Sequence, residues 1–277
     1  MDRERPVAQI EQLWRYDGRR AVVTGCASGI GERAVHQLTG LGAQVVGLDQ
    51  RQPGYEISEF HQIDLADPGS IGRAVEAIGG PVDALFNIAG VSSGIGDPLL
   101  VVTINFLGLR QLTEALLPMM GPGSAIVSVS SLAAAGYREH HRAVAPLVNT
   151  TTMVEGIDWC KRHLEVLGAG YQLSKEAVIL YTMRSAVGLG ARGIRINCTG
   201  PGVTETPILD QLTTAYGAEF LDDIAKPLGR VATPGEQASV LVFLNGHAAS
   251  YISGQVVWVD GGNVAASIAG ELGEGRA

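Results

Sequence analysis

Cysteine is scarce in this 277-residue chain: Cys26, Cys160 and Cys198 are the only three, far apart and without a CxxC pair. A dispersed, odd-numbered set supports neither a disulfide framework nor a zinc site, and the expected role is that of small buried apolar residues. Aromatic residues make up 5% of the chain, charged residues only 17%, and no block of like charge occurs. Positive charge is in deficit, with 20 Lys plus Arg against 28 Asp plus Glu and a formal charge of −8, so nucleic acid and an anionic membrane are poor partners. Met1 to Arg20 lack the apolar run of about seven residues that a secretory signal needs, and no stretch reads as an apolar run of about 18 residues. The expectation is a soluble cytoplasmic protein without a membrane partner.

Apolar residues are plentiful at 46%, enough for a full core, and the 37 glycines follow neither a Gly-X-Y period nor a tandem repeat. Seven Val- and Ile-rich runs, at 21–23, 44–48, 60–65, 82–87, 124–129, 194–198 and 256–259, read as strands. Most are apolar throughout, as strands covered on both faces are. Helical periods fill the intervals at 29–41, 68–78, 103–120, 171–189 and 234–245. Strand alternating with helix predicts an α/β fold with one doubly wound parallel sheet of about seven strands, the Rossmann arrangement, occupying 1–277 as a single domain. An N-terminal arm over 1–18, with Ile10, Leu13 and Trp14 at helical spacing, and a C-terminal tail over 263–277 flank it. Residues 137–170 are too long for an ordinary connection and are helical in composition from Val154 to Leu167, so they read as a helical insertion.

Thr24-Gly25-Cys26-Ala27-Ser28-Gly29-Ile30-Gly31 follows the first strand and opens a helix. Glycines there let the backbone approach a pyrophosphate, and the helix start offers unpaired N–H groups and a positive dipole end. Asp49 ends the second strand 18 residues after Gly31, where a carboxylate accepts both ribose hydroxyls and repels a 2′-phosphate. The cofactor expected is therefore NAD(H), with Arg51 nearby as a softening influence. Asp64 and Leu65 are placed to touch the adenine, and Asn87-Ile88-Ala89-Gly90 closes the fourth strand with small residues at the ligand-binding edge.

Tyr171 and Lys175 stand four residues apart on one helix face. An adjacent ammonium and an oxidised nicotinamide both favour phenolate, bringing Tyr171 toward useful basicity, while Lys175 can donate to the nicotinamide ribose. Ser131, preferred to Ser130 by its position after the fifth strand, can orient a substrate carbonyl. His140, His141, His163 and Cys160 lack companions for a metal site, and none is expected. The sequons at Asn149 and Asn197 are chance matches.

Taken together, TGCASGIG (24–31), NIAG (87–90), Asn105 in INFLG, SVSS (128–131), YQLSK (171–175), PGVTETP (201–207) and SYISGQVVWVDGG (250–262) resemble the short-chain dehydrogenase/reductase family from about Gly18 to Gly262. The resemblance implies that Tyr171 is the catalytic acid/base, Lys175 its activator and ribose ligand, Ser131 the substrate-orienting hydroxyl and Asn105 a support of proton relay. It implies that the Val203 backbone and the Thr206 hydroxyl meet the nicotinamide carboxamide, with Pro201, Gly202 and Thr204 in the same cofactor-binding segment, and that Gly25, Ser28, Gly29, Ile30, Gly31, Asn87, Ala89 and Gly90 line the dinucleotide. Two departures stand out. Ile88 replaces a second Asn, and 40 residues separate Ser131 from Tyr171 where about a dozen is usual.

Within the family the chain is most similar to the bacterial 3α-hydroxysteroid dehydrogenase/carbonyl reductase type. That implies interconversion of a secondary alcohol and a ketone on a hydrophobic steroid or xenobiotic, with a 3-oxoacyl thioester or a polyol or sugar as alternatives and a catalytically silent nucleotide-sensing scaffold as a third. Residues 207–227, with Leu209, Leu212, Tyr216, Phe220 and Leu221, read as a lid over a greasy substrate. A homo-oligomer, dimer or tetramer, is implied.

Overall fold

The computed structural model describes residues 10–217, 219 and 224–274. Strands β1 (Arg20–Thr24), β2 (Gln44–Asp49), β3 (Glu59–Gln62), β4 (Ala84–Asn87), β5 (Ala125–Val129), β6 (Arg195–Pro201) and β7 (Val256–Val259) form one sheet in the order β3-β2-β1-β4-β5-β6-β7. Every pairing is parallel. The chain begins in the middle and winds outward both ways, so connections diverge between β1 and β4 and leave a crevice at their carboxyl ends.

The helices are α1 (Gly29–Gly40), α2 (Pro68–Ile78), α3 (Pro98–Val102), α4 (Leu109–Leu116), α5 (Tyr137–Val148), α6 (Met153–Arg162), α7 (Leu164–Leu167), α8 (Tyr171–Ala191), α9 (Pro207–Tyr216), α10 (Pro234–Asn245) and α11 (Asn263–Glu274). Val22, Leu85 and Ile126 are cross-strand neighbours on one sheet face, where they meet Ile71 of α2, Leu112 of α4 and Val178 of α8. Their neighbours along each strand, Val23, Phe86 and Val127, point the other way and meet Val35 and Leu38 of α1 and Leu241 of α10. Both faces being covered explains why these strands are apolar without alternation.

Several boundaries differ from the sequence expectation. β3 stops at Gln62, three residues short, because Asp64 turns the chain: its Oδ1 accepts from Ala66 N at 2.8 Å and its own N–H donates to Ser70 Oγ at 2.9 Å. β6 runs on to Pro201 because Cys198, Thr199, Gly200 and Pro201 pair with β7. The helix expected from 103 starts at Pro98, capped by Asp97 Oδ1 on Leu100 N at 3.0 Å, and passes through a π-helical turn, Thr103–Gly108, into α4. The resulting Pro98–Met119 run of 22 residues is long and apolar enough by composition to cross a membrane, contrary to the expectation of no such stretch, and its apolar window is 67% buried inside the protein. Residues 263–274 form α11 rather than a patternless tail, and residues 275–277 lie outside the described residues. The arm is a single 3-10 turn, Ile10–Leu13, followed by Trp14 against Phe243 at 5.7 Å; residues 1–9 lie outside the described residues.

The insertion holds three helices, α5 to α7, and starts earlier than its composition suggested. Two arginines fasten it: Arg184 of α8 donates to Val148 O and Asn149 Oδ1, both at 2.8 Å, and buried Arg110 of α4 donates to Thr150 Oγ1 and Thr152 O, both at 3.1 Å. Gly156 and Gly170 permit close approach, since a Cβ would fall on the Leu107 side chain at the first and on the Pro98 backbone oxygen at the second.

Candidate active site

The carboxyl ends of the central strands open into a cavity of about 910 Å³. Gly25, Ser28, Gly29, Ile30 and Gly31 line it from the turn into α1, Asp49 from β2, Leu65 after β3, Ala89 and Gly90 after β4, and Ser131 after β5. Tyr171 and Lys175 line it from α8, and Pro201, Gly202, Val203, Thr204 and Thr206 from the end of β6 onward.

The turn into α1 is shaped by close backbone approach. Gly25 has φ +71°, and a Cβ on it would sit 3.0 Å from the Ala89 backbone; one on Gly31 would fall on the Gly25 carbonyl oxygen. Ser28, the N-cap of α1, makes no side-chain capping bond, so the first N–H groups of this helix are left for a ligand. Asp49 braces the turn from β2, its Oδ2 accepting from Ala27 N at 3.0 Å and its Oδ1 from Arg51 N at 3.1 Å. A cradle closed to any side chain, a free helix start and a strand-end carboxylate together fit a dinucleotide.

At the other centre, the Tyr171 side chain and the Ser131 hydroxyl line the same cavity. Burial raises the phenol above its ordinary value and the Ser131 hydroxyl pulls the opposite way. The lowering expected from Lys175 does not prevail within the protein alone: Lys175 Nζ lies 5.6 Å from the Tyr171 ring centre and donates to Val129 O at 3.0 Å. Burial also lowers Lys175 to about 8. Ser130 is buried with its Oγ donating to Lys175 O at 2.7 Å, which fastens β5 to α8 and leaves Ser131 as the serine whose hydroxyl acts on the Tyr171 phenol.

Three candidates take other positions. Asp64 is bound into its own turn and is not among the cavity-lining residues. Asn87 is buried under the cavity floor, donating to Thr113 Oγ1 at 2.9 Å and Ser128 Oγ at 3.3 Å. Asn105 sits in the π-turn, wholly buried, its Oδ1 accepting from Val91 N at 2.8 Å and its Nδ2 donating to Val91 O at 2.9 Å and Ser174 Oγ at 3.3 Å. Its side chain therefore clamps the β4 loop to the start of α8.

Sequence reasoning missed two supports. Tyr55, in the β2–β3 connection, donates to Cys26 O at 2.6 Å and packs against His36 of α1 at 4.6 Å, holding the glycine-rich turn from behind. Gln237 of α10 donates to Thr204 Oγ1 at 3.2 Å and Val259 O at 2.8 Å, holding the loop after β6. Neither lies in a motif. From the expected lid, Leu209, Leu212 and Tyr216 line the cavity, joined by Ile208, Gln211 and Ile224, while Phe220 and Leu221 lie outside the described residues. No residue of 137–170 lines the cavity. His163 stacks on Trp159 at 4.4 Å and His140 Nδ1 meets Glu176 Oε1 at 2.7 Å. All three cysteines are buried free thiols.

A family profile described as short chain dehydrogenase matches residues 19–144, and one described as enoyl-(acyl carrier protein) reductase matches residues 160–263. The chain is 36% identical over 245 residues to coniferyl-alcohol dehydrogenase of Pseudomonas sp. strain HR199, covering 88% of this chain and 96% of that protein. It is 31% identical over 248 residues to 3-alpha-hydroxysteroid dehydrogenase/carbonyl reductase of Comamonas testosteroni, covering 87% and 95%. The solved 3-alpha-hydroxysteroid dehydrogenase of Pseudomonas sp. B-0831, complexed with NADH, matches with TM-score 0.78 at 33% identity, covering 90% of this chain and 98% of that one.

Proposed function

The chain belongs to the short-chain dehydrogenase/reductase family of oxidoreductases, and we propose that it is an NAD(H)-dependent dehydrogenase interconverting an apolar secondary alcohol and its ketone. The observation that carries this reading is that Ser131, Tyr171 and Lys175 line the same cavity as the glycine-rich turn. When bound, the nicotinamide ring exchanges a hydride with the carbinol carbon and, when oxidised, carries positive charge. Tyr171 Oη gives its proton to the carbonyl oxygen in reduction and takes it back in oxidation. Ser131 Oγ, lining the same cavity as that phenol, orients the same oxygen. Lys175 Nζ has three donors and gives one to Val129 O, leaving the others for the cofactor ribose. The protein's own groups keep Tyr171 protonated, which suits it to donate.

Asp49 supports NAD(H) over NADP(H), as a carboxylate that accepts ribose hydroxyls and repels a 2′-phosphate. An apolar substrate is supported by Leu132, Leu209 and Leu212 on the cavity wall and by the relatives named for coniferyl alcohol and for 3-alpha-hydroxysteroids. Among the described lining residues, Arg51 and Lys175 are the only cations, so little in the wall favours an anionic, carrier-bound thioester. Assembly into a homo-oligomer is supported by half-exposed β7 at the sheet edge and by exposed Val187 and Tyr251. The test is nicotinamide absorbance with a panel of ketones, quinones and steroids: NADH oxidation by an apolar ketone is the expected result, and its absence across the panel refutes the reading.

A further inference from the structure

Besides Ser131 and Tyr171, a second group of polar side chains lines the cavity where the loop after β4 meets α9: Ser93, Gln211 and Tyr216. Their hydrogen bonds decide which atoms are left to meet a ligand. Ser92, wholly buried, accepts from Gly94 N at 3.2 Å and gives its single proton to Gln211 Oε1 at 3.2 Å. The amide is thereby turned so that its Nε2, which has no partner among the described residues, keeps both protons to donate. Ser93 Oγ accepts the Tyr216 hydroxyl at 3.0 Å, so its own proton remains available. The neighbouring wall is apolar, through Leu209 and Leu212, and the charged residues among the described lining, Asp49, Arg51 and Lys175, belong to other elements. Two donors without acceptors among the described residues, set among aliphatic side chains, call for an uncharged oxygen acceptor.

We infer that Gln211 Nε2 and Ser93 Oγ form a second recognition point, separate from the Ser131–Tyr171 pair, that binds an ether, carbonyl or hydroxyl oxygen elsewhere on the substrate. The substrate class is then a neutral, apolar alcohol or ketone carrying a second oxygen function; this rests on the alcohol–ketone activity proposed above. A substrate lacking that oxygen would strip water from both donors and leave them unsatisfied, which is how polar groups in an apolar pocket discriminate.

The test compares two substrate pairs: 4-phenylbutan-2-ol with its para-methoxy derivative, and 17-deoxyandrosterone with androsterone. In at least one pair the oxygen-bearing member has the higher kcat/KM, by about five- to tenfold, the worth of one neutral hydrogen bond. Gln211→Glu keeps the oxygen that meets Ser92 and exchanges only the donor nitrogen for an acceptor; Ser93→Ala removes the other donor. Each lowers the ratio, and together they bring it to one. Because both substrates are measured on one preparation, the ratio does not depend on how much of a variant folds. A wild-type ratio of one in both pairs, or a ratio that survives the double substitution, overturns the proposal. Failure of all four compounds to react is a different result: it removes the alcohol–ketone activity itself, and this recognition point with it.

Discussion

Replacing Lys175 by Met turns the burial of the site ammonium into a stability measurement. Lys175 is 4% exposed, and burial lowers it from the ordinary 10.5 to about 8. Across that interval, at about 1.4 kcal/mol per pH unit, the charged side chain costs the folded state about 3 kcal/mol. Below about pH 8 the amine is charged in both folded and unfolded chains, so the native protein carries the whole cost. Between about 8 and 10.5 the folded chain has released the proton while the unfolded chain retains it, and wild-type stability rises with pH. Methionine carries no proton. The stability of Lys175→Met relative to wild type is therefore greatest near pH 7 and falls by about 3 kcal/mol as pH approaches 10.5. Loss of the bond to Val129 O offsets the advantage by a roughly constant 1–2 kcal/mol without changing its pH dependence. Buried Tyr16 and Tyr181 also titrate anomalously, but they are common to both proteins and cancel in the difference. Urea unfolding followed by tryptophan fluorescence, at one protein concentration and without cofactor, supplies both curves. A difference that stays flat from pH 7 to 10 refutes the argument. A residue whose removal stabilises the fold is retained for what it does at the site.

Tyr55→Phe removes the bond to Cys26 O and nothing else of the side chain, so the KM for NAD(H) rises about fivefold with kcat nearly unchanged; an unaltered KM shows that the turn holds its shape unaided. Asp49→Ser removes the carboxylate and moves the NADP(H)-to-NAD(H) ratio of kcat/KM upward by at least about tenfold, and an unmoved ratio contradicts the role given to Asp49. Light scattering gives a mass that is a multiple of 29.0 kDa, whereas a single-chain mass rules out the proposed oligomer.

The strand count and the parallel winding were legible because the central strands are buried on both faces and announce themselves as unbroken apolar runs, while β3 and half-exposed β7 form the sheet edges. Boundaries were less so where side chains override the run: Asp64 and Ser70 turn the chain out of β3, and pairing with β7 extends β6 as far as Pro201. The π-turn around Asn105 carries no sequence signal, since its residues suit an ordinary helix equally well. Much of the cavity lining followed from turn chemistry and motif spacing. Asn87 and Asp64 sit at strand ends where cavity residues also sit, and only the direction of each side chain separates the two cases. Tyr55 and Gln237 act across long sequence separations through single hydrogen bonds, beyond the reach of periodicity or spacing. The raised phenol of Tyr171 depends on how deeply α8 packs, which spacing along one helix does not report.

Tyr171→Phe, assayed for NADH oxidation by an apolar ketone and titrated with NADH by fluorescence, is the most direct test of the proposed chemistry. Turnover lower by a factor of about 10²–10⁴ with NADH still bound is the expected result; a variant that turns over within tenfold of wild type contradicts a proton carried by that phenol.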